Sequence, residues 1–197
     1  MKEQTQMNLD RFCIKFLARP ETNIDETTFI DVFHEWIRLG KLQGTLIDVA
    51  DYSHVPNGPG IMLITHEINY AMDRANGEFG LQAQRKLGEG ETHQDRILDL
   101  ARATATFGAL LEGDNRVAGK LSLEGSKFYY MANDRLNAPN TEEAFAAIQP
   151  DLAAAAEKLY PGQQVSITRL ENDPRDRLTA IVQVENSVDI ASLVAAA

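Results

Sequence analysis

The sequence predicts an α+β fold, a largely antiparallel sheet with three helices. Three observations lead there. Period-two segments arrive in adjacent pairs joined by turn formers, three other segments switch to helical apolar spacing with capping residues, and 197 residues at 44% apolar suffice for one buried core. Paired strands favour antiparallel hairpins over long crossovers.

Residues 8–17 alternate, with Phe12, Ile14 and Phe16 on one side and Arg11, Cys13 and Lys15 on the other, as in a half-buried strand. Beyond Glu26 the period lengthens: Phe29, Phe33, Trp36 and Ile37 make a helical stripe, with Asp25 as the expected N-cap and Gly40 near the end. "TLIDVADY" and "GIMLITHE" read as strands around a Pro/Gly loop, and residues 68–73 are expected to prolong the second of them. "RANG" turns that strand into "EFGLQAQRK".

Thr92 with Asp95 three residues later opens a second helix, whose inward stripe is Ile97, Ala101, Thr104, Phe107 and Leu111. "KLSLEGSKFYYMAND" suggests a hairpin turning at Gly125. A third helix follows "APNTEE", with Asn140 as its expected cap and Phe145, Ile148, Leu152, Ala156 and Leu159 inward. "QVSITRL" and "RLTAIVQVE" are the last strands. Strand, helix, strand, strand thus occurs in residues 9–67 and again in 127–185, which suggests a βαββ pseudo-repeat inside a single domain spanning 1–187. Residues 188–197 form an apolar tail that must dock somewhere, and a homo-oligomer formed through it is the favoured expectation over docking on its own domain.

A formal charge of −10, with no gathering of Lys and Arg, argues against nucleic acid and anionic membranes as partners. No apolar run is long enough to span a bilayer, and the first ten residues lack a signal-peptide core, so a cytoplasmic location is expected. One cysteine excludes an internal disulfide and a thiolate-rich metal site.

The densest chemistry lies in "DYSHVPNGPGIMLITHE". If residues 61–73 form one strand, His66 shares an apolar row with Met62, Ile64, Ile68, Tyr70 and Met72. It is then either a core histidine bonded to a carbonyl or a tyrosine, or a base or ligand at a pocket wall. Asp48, Asp51, His54 and His66 offer oxygen and nitrogen donors for acid–base work or a divalent metal, but their spacing matches no established metal motif. In the loop, Asn57, Gly58 and Gly60 are candidates for ligand or partner contact, because exposed glycine amides cradle anions, although a stiff hairpin connection needs the same residues. Asn133, Asp134 and Arg135 are further candidates for a polar ligand within a turn-rich stretch. Cys13 reads as a surface or edge thiol, and His34 and His93 as solvated.

The succession "HVPNGPGIMLITHE", "FGLQAQRK", "NDRLNAPNT" resembles a family of uncharacterised bacterial proteins of about this length. The resemblance implies no activity, cofactor or catalytic residue. Without a complete catalytic constellation, the expected role is a small binding or assembly protein for a protein partner or a small molecule. The alternative is a hydrolase-like enzyme, metal-dependent or acid–base, using the region from Asp48 to His66.

Overall fold

Eight strands and three helices make up the fold, which a computed structural model describes for residues 9–42, 44–86 and 92–194, the side chain of Asn76 excepted. The strands are β1 (Phe12–Ala18), β2 (Leu46–Tyr52), β3 (Gly60–Thr65), β4 (Ile68–Asp73), β5 (Gly80–Arg85), β6 (Leu123–Ala132), β7 (Val165–Arg169) and β8 (Thr179–Val184). The helices are α1 (Thr28–Leu39), α2 (His93–Glu112) and α3 (Glu142–Leu159). The strands join in one sheet, ordered β2-β3-β4-β5-β1-β6-β8-β7, with every neighbouring pair antiparallel. Both runs of the expected pseudo-repeat are present in element order, but their places in the sheet differ. β8 lies directly beside β6, whereas β4 and β5 stand between β3 and β1.

Strand alternation gives the sheet two unlike faces. Phe12, Ile14, Phe16, Leu63, Tyr70, Met72, Leu81, Phe128, Tyr130 and Val182 point to the first, where all three helices press their stripes into one contiguous core. Within it Phe33, Trp36, Tyr70 and Phe107 make an aromatic cluster. Tyr70 stacks on Phe107 at 4.1 Å, and Trp36 meets Phe107 edge-on at 5.2 Å. The Trp36 indole N–H donates to Asp114 at 3.1 Å, which satisfies the one polar atom of that buried side chain. On the second face Cys13, Tyr129 and Met131, with Leu17 and Ile181, form a smaller cluster made of strand residues alone.

Capping chemistry explains most helix boundaries. The Thr92 hydroxyl accepts from the Asp95 amide at 3.2 Å to open α2, as its sequence pattern predicts. α1 ends at Gly40, whose φ of 59° few other residues adopt. Two caps differ from expectation. Asp25 lies outside the helix and accepts from the Thr27 amide and hydroxyl, ordering a first turn of short-range bonds. The cap of α3 is Thr141, which accepts from the Ala144 amide at 3.2 Å. Asn140, one residue earlier, is buried and ties α3 to the loop before β8 by donating to Asn172 and the Asp173 carbonyl.

Two strands also differ. Residues 61–73 are not one strand: β3 and β4 are antiparallel partners, and the chain reverses at His66 and Glu67. The Thr65 hydroxyl closes that turn, donating to the Ile68 carbonyl at 2.7 Å and accepting from the Ile68 amide at 3.0 Å. Nor does the chain turn at Gly125, which sits inside the continuous strand β6. A Cβ there would lie 2.6 Å from the Val188 carbonyl oxygen, so glycine is required for the close passage of the C-terminal segment.

That segment docks on its own chain. Val188, Ile190 and Leu193 are buried in the main core, and the 3₁₀ turn Ile190–Leu193 packs on α2 and β6. The self-association expected of residues 188–197 therefore lacks its apolar patch over 188–194; residues 195–197 lie outside the described residues. Among the described residues no helix is long and apolar enough to cross a membrane.

Candidate functional site

The four residues grouped by sequence as a catalytic or metal set are not brought together. Asp51 faces Ile61 at one end of the β2–β3 hairpin, where its carboxylate accepts from the Ser53 amide at 2.8 Å, and His54 lies exposed in the loop beyond. Hydrogen bonding from the Ser53 side chain, and then from its amide, lowers the Asp51 pKa. His66 lies at the far end of β3, five residues from Ile61, a span of roughly 17 Å in extended chain. It is exposed in the turn, so the core-row placement expected of it is overturned by the reversal at Thr65. Asp48, exposed on edge strand β2, accepts from the amide of its own neighbour Val49 at 2.8 Å. A carboxylate bound to backbone in an edge strand makes that edge a poorer template for another strand. Among the described residues no group of three or more His, Cys, Asp or Glu is placed to hold a metal ion.

The glycine-rich loop is a stiff connection. Gly60 has φ of +64° and its Cα faces the Met72 carbonyl so closely that a Cβ would collide with it. Asn57 takes a positive φ of 55°, and the Gly58 amide closes a turn onto the Val55 carbonyl. Asn133, Asp134 and Arg135 likewise form a turn. The Asp134 carboxylate accepts from the amides of Leu136 and Asn137 and from the Asn137 side chain, while the Asn133 amide reaches the Arg11 carbonyl. Arg135 is exposed.

Cys13 is buried, contrary to its reading as a surface thiol, and burial pushes its pKa up to about 11 despite the nearby Arg177. It is no activated nucleophile.

Two buried polar groupings escaped the sequence reading. On the second face Lys15 is 3% exposed and pairs with Asp73 across β5 at 2.5 Å, donating also to the Glu78 carbonyl at 2.6 Å. In the core, His93 is 2% exposed rather than solvated. One ring nitrogen lies 3.1 Å from the Asp151 carboxylate on α3 and the other 3.1 Å from the Tyr130 hydroxyl on β6. A neutral imidazole satisfies both, donating from Nδ1 to Asp151 and accepting at Nε2 from Tyr130, whose hydroxyl burial keeps protonated. The three residues resemble a catalytic relay, but their burial denies them substrate, and they serve as a strut among α2, α3 and β6.

Burial lowers the His93 pKa below its usual value, and the bond to Asp151 opposes that shift without reversing it. On acidification the unfolded chain therefore takes up this proton first. The stability that neutral His93 provides is complete above about pH 6.5 and falls as the pH drops from there toward the folded-state value. Denaturant midpoints measured from pH 8 to 5 should decline over that lower window in the native protein. His93→Gln, which can bond both partners without titrating, should flatten the decline. Equal slopes would mean that His93 is not buried neutral.

A cleft of about 440 Å³ has room for a ligand. α2 contributes Ala103, Thr106, Phe107 and Leu110, at successive positions of one helical face. Lys41 and Leu42 come from the segment after α1, Thr65 from the end of β3, Glu67 from the β3–β4 turn, and Ile68 and Tyr70 from β4. The His66 amide donates to the Thr45 carbonyl at 2.9 Å and the Lys86 amide to the Glu67 carbonyl at 2.8 Å, so the turn is held from both sides. Burial pushes the Tyr70 hydroxyl up to about 12, with Arg85 drawing it down and Glu67 pushing it up. The β3–β4 turn, hidden in sequence by a continuous apolar rhythm, is what assembles this wall.

No protein-family model, curated protein or solved structure matches the chain.

Proposed function

We propose that the protein is a small cytoplasmic binding protein without catalysis of its own, and that the cleft between α2 and the β3–β4 turn receives a small molecule. The observation that carries this reading is the cleft itself. Its volume falls within the roughly 300–1,000 Å³ common for small-molecule sites, and its lining combines apolar walls with a few polar groups, the usual composition of such sites. Against an enzyme stands the geometry of Asp48, Asp51, His54 and His66, which lie along both ends of one hairpin.

The test is an NMR screen of small aromatic and aliphatic compounds against labelled protein. Amide shifts should concentrate at residues 65–70 and 103–110, and Ala103→Trp, which fills the cleft from a half-buried position, should remove them while the rest of the spectrum is kept. Shifts that persist in Ala103→Trp, or that cluster elsewhere, would defeat the proposal.

A further inference from the structure

The cleft carries two opposite charges that are not spent among the described residues. Lys41 and Glu67 both line it, and neither side chain has a hydrogen-bond or ion-pair partner among the described residues. They come from two segments that the His66–Thr45 backbone bond fastens side by side, yet they do not pair with each other. Other polar groups nearby are already engaged. Thr65 bonds Ile68 through both its donor and its acceptor, Thr106 donates to the Arg102 carbonyl at 2.8 Å, and Arg85 has interactions of its own.

From this arrangement we infer that the ligand is a zwitterionic amino acid with an aromatic side chain, its carboxylate held by Lys41, its ammonium by Glu67 and its ring against Ala103 and Leu110. The inference rests on the cleft being the binding site. Charge selects the head group. A simple anion satisfies Lys41 but sets a like charge beside Glu67, and a simple cation does the reverse, whereas a zwitterion answers both. The body is selected by Leu42, Ala103 and Leu110, half-buried apolar side chains above a buried floor of Ile68, Tyr70 and Phe107, which a flat apolar group covers well. Tyr70 keeps its proton at neutral pH and is available as a neutral donor.

Titration of the full chain with L-phenylalanine, phenylacetate, phenethylamine and benzyl alcohol, followed by amide shifts at residues 65–70 and 103–110, tests it. L-phenylalanine should bind roughly tenfold or more tightly than either half-charged analogue. Glu67→Gln should bring it down to the affinity of phenylacetate, and Lys41→Met to that of phenethylamine. Both residues are exposed, so neither variant should lose its fold. Equal affinity for L-phenylalanine and an analogue, or L-phenylalanine binding untouched in both variants, overturns the assignment. Cleft shifts from benzyl alcohol with no preference for the zwitterion overturn the ligand class alone. No cleft shift from any of the four compounds overturns both this inference and the binding role of the cleft.

Discussion

Ile190→Ala is expected to cost about 2–5 kcal/mol, the range for truncating a fully buried aliphatic side chain. Removing residues 188–197 should do more, leaving a chain that fails to unfold cooperatively. The C-terminal segment is a structural part of the core. Its backbone runs so close to β6 that Gly125 has no room for a Cβ, and a Cβ on Gly108 of α2 would lie 3.2 Å from Ile190. The Gly125 amide donates to the Val188 carbonyl at 3.0 Å, and Arg19 reaches the same carbonyl at 3.3 Å. Deletion would uncover the faces of α2 and β6 that Val188, Ile190 and Leu193 seal, in a chain whose whole stability is of order 5–15 kcal/mol. Urea unfolding and light scattering check both sides of this. The full-length protein should be monomeric at micromolar concentration, because the segment's apolar side chains are already used. An unchanged midpoint after truncation would mean that the segment is not docked.

Asp73→Ala should be about as damaging, at roughly 3–5 kcal/mol, because it leaves the Lys15 ammonium buried without its counter-charge. Desolvation makes a single buried charge far more costly than a buried pair. Replacing both partners, as Lys15→Met with Asp73→Leu, should recover most of the loss, since a buried pair is often worth no more than well-packed apolar side chains. The contrast between single and double variants, read as denaturant midpoints, is the measurement. A single variant as stable as the native protein would show that Lys15 reaches water. Tyr129 donates to the Glu78 carboxylate at 2.9 Å on the same face, so the double variant also tests whether that bond stands without Lys15 on the Glu78 carbonyl.

The legible part of the candidate site was α2. Thr92 with Asp95, and the stripe through Ile97, Ala101, Thr104, Phe107 and Leu111, place the helix and its buried face from local chemistry alone, though of the cleft-lining residues that stripe contains only Phe107. The opposite wall was not legible. "IMLITHEINYAMD" keeps one alternating rhythm through residues that reverse direction, because Thr65 makes the turn with a side-chain hydroxyl instead of Gly, Pro or Asn. His66 was misplaced for the same reason, since a strand assignment passes through a turn and carries every later face with it. His93 was hidden differently: a first-turn position says nothing about whether another helix will pack over it, and α3 does.

By itself the sequence determined the α+β class, the antiparallel sheet, three helices close to their observed spans and the residues of the main core. All of these follow from periods of two and 3.6 and from caps, which are properties of neighbouring residues. Tertiary structure alone decided that β4 and β5 come between β3 and β1, that Gly125 admits the C-terminal segment, that His93 and Lys15 are buried with partners 58 residues away in the chain, and that Lys41 and Glu67 share a cleft. Each depends on which surfaces meet, and that is set by the free energy of packing the whole chain at once rather than by any window of it.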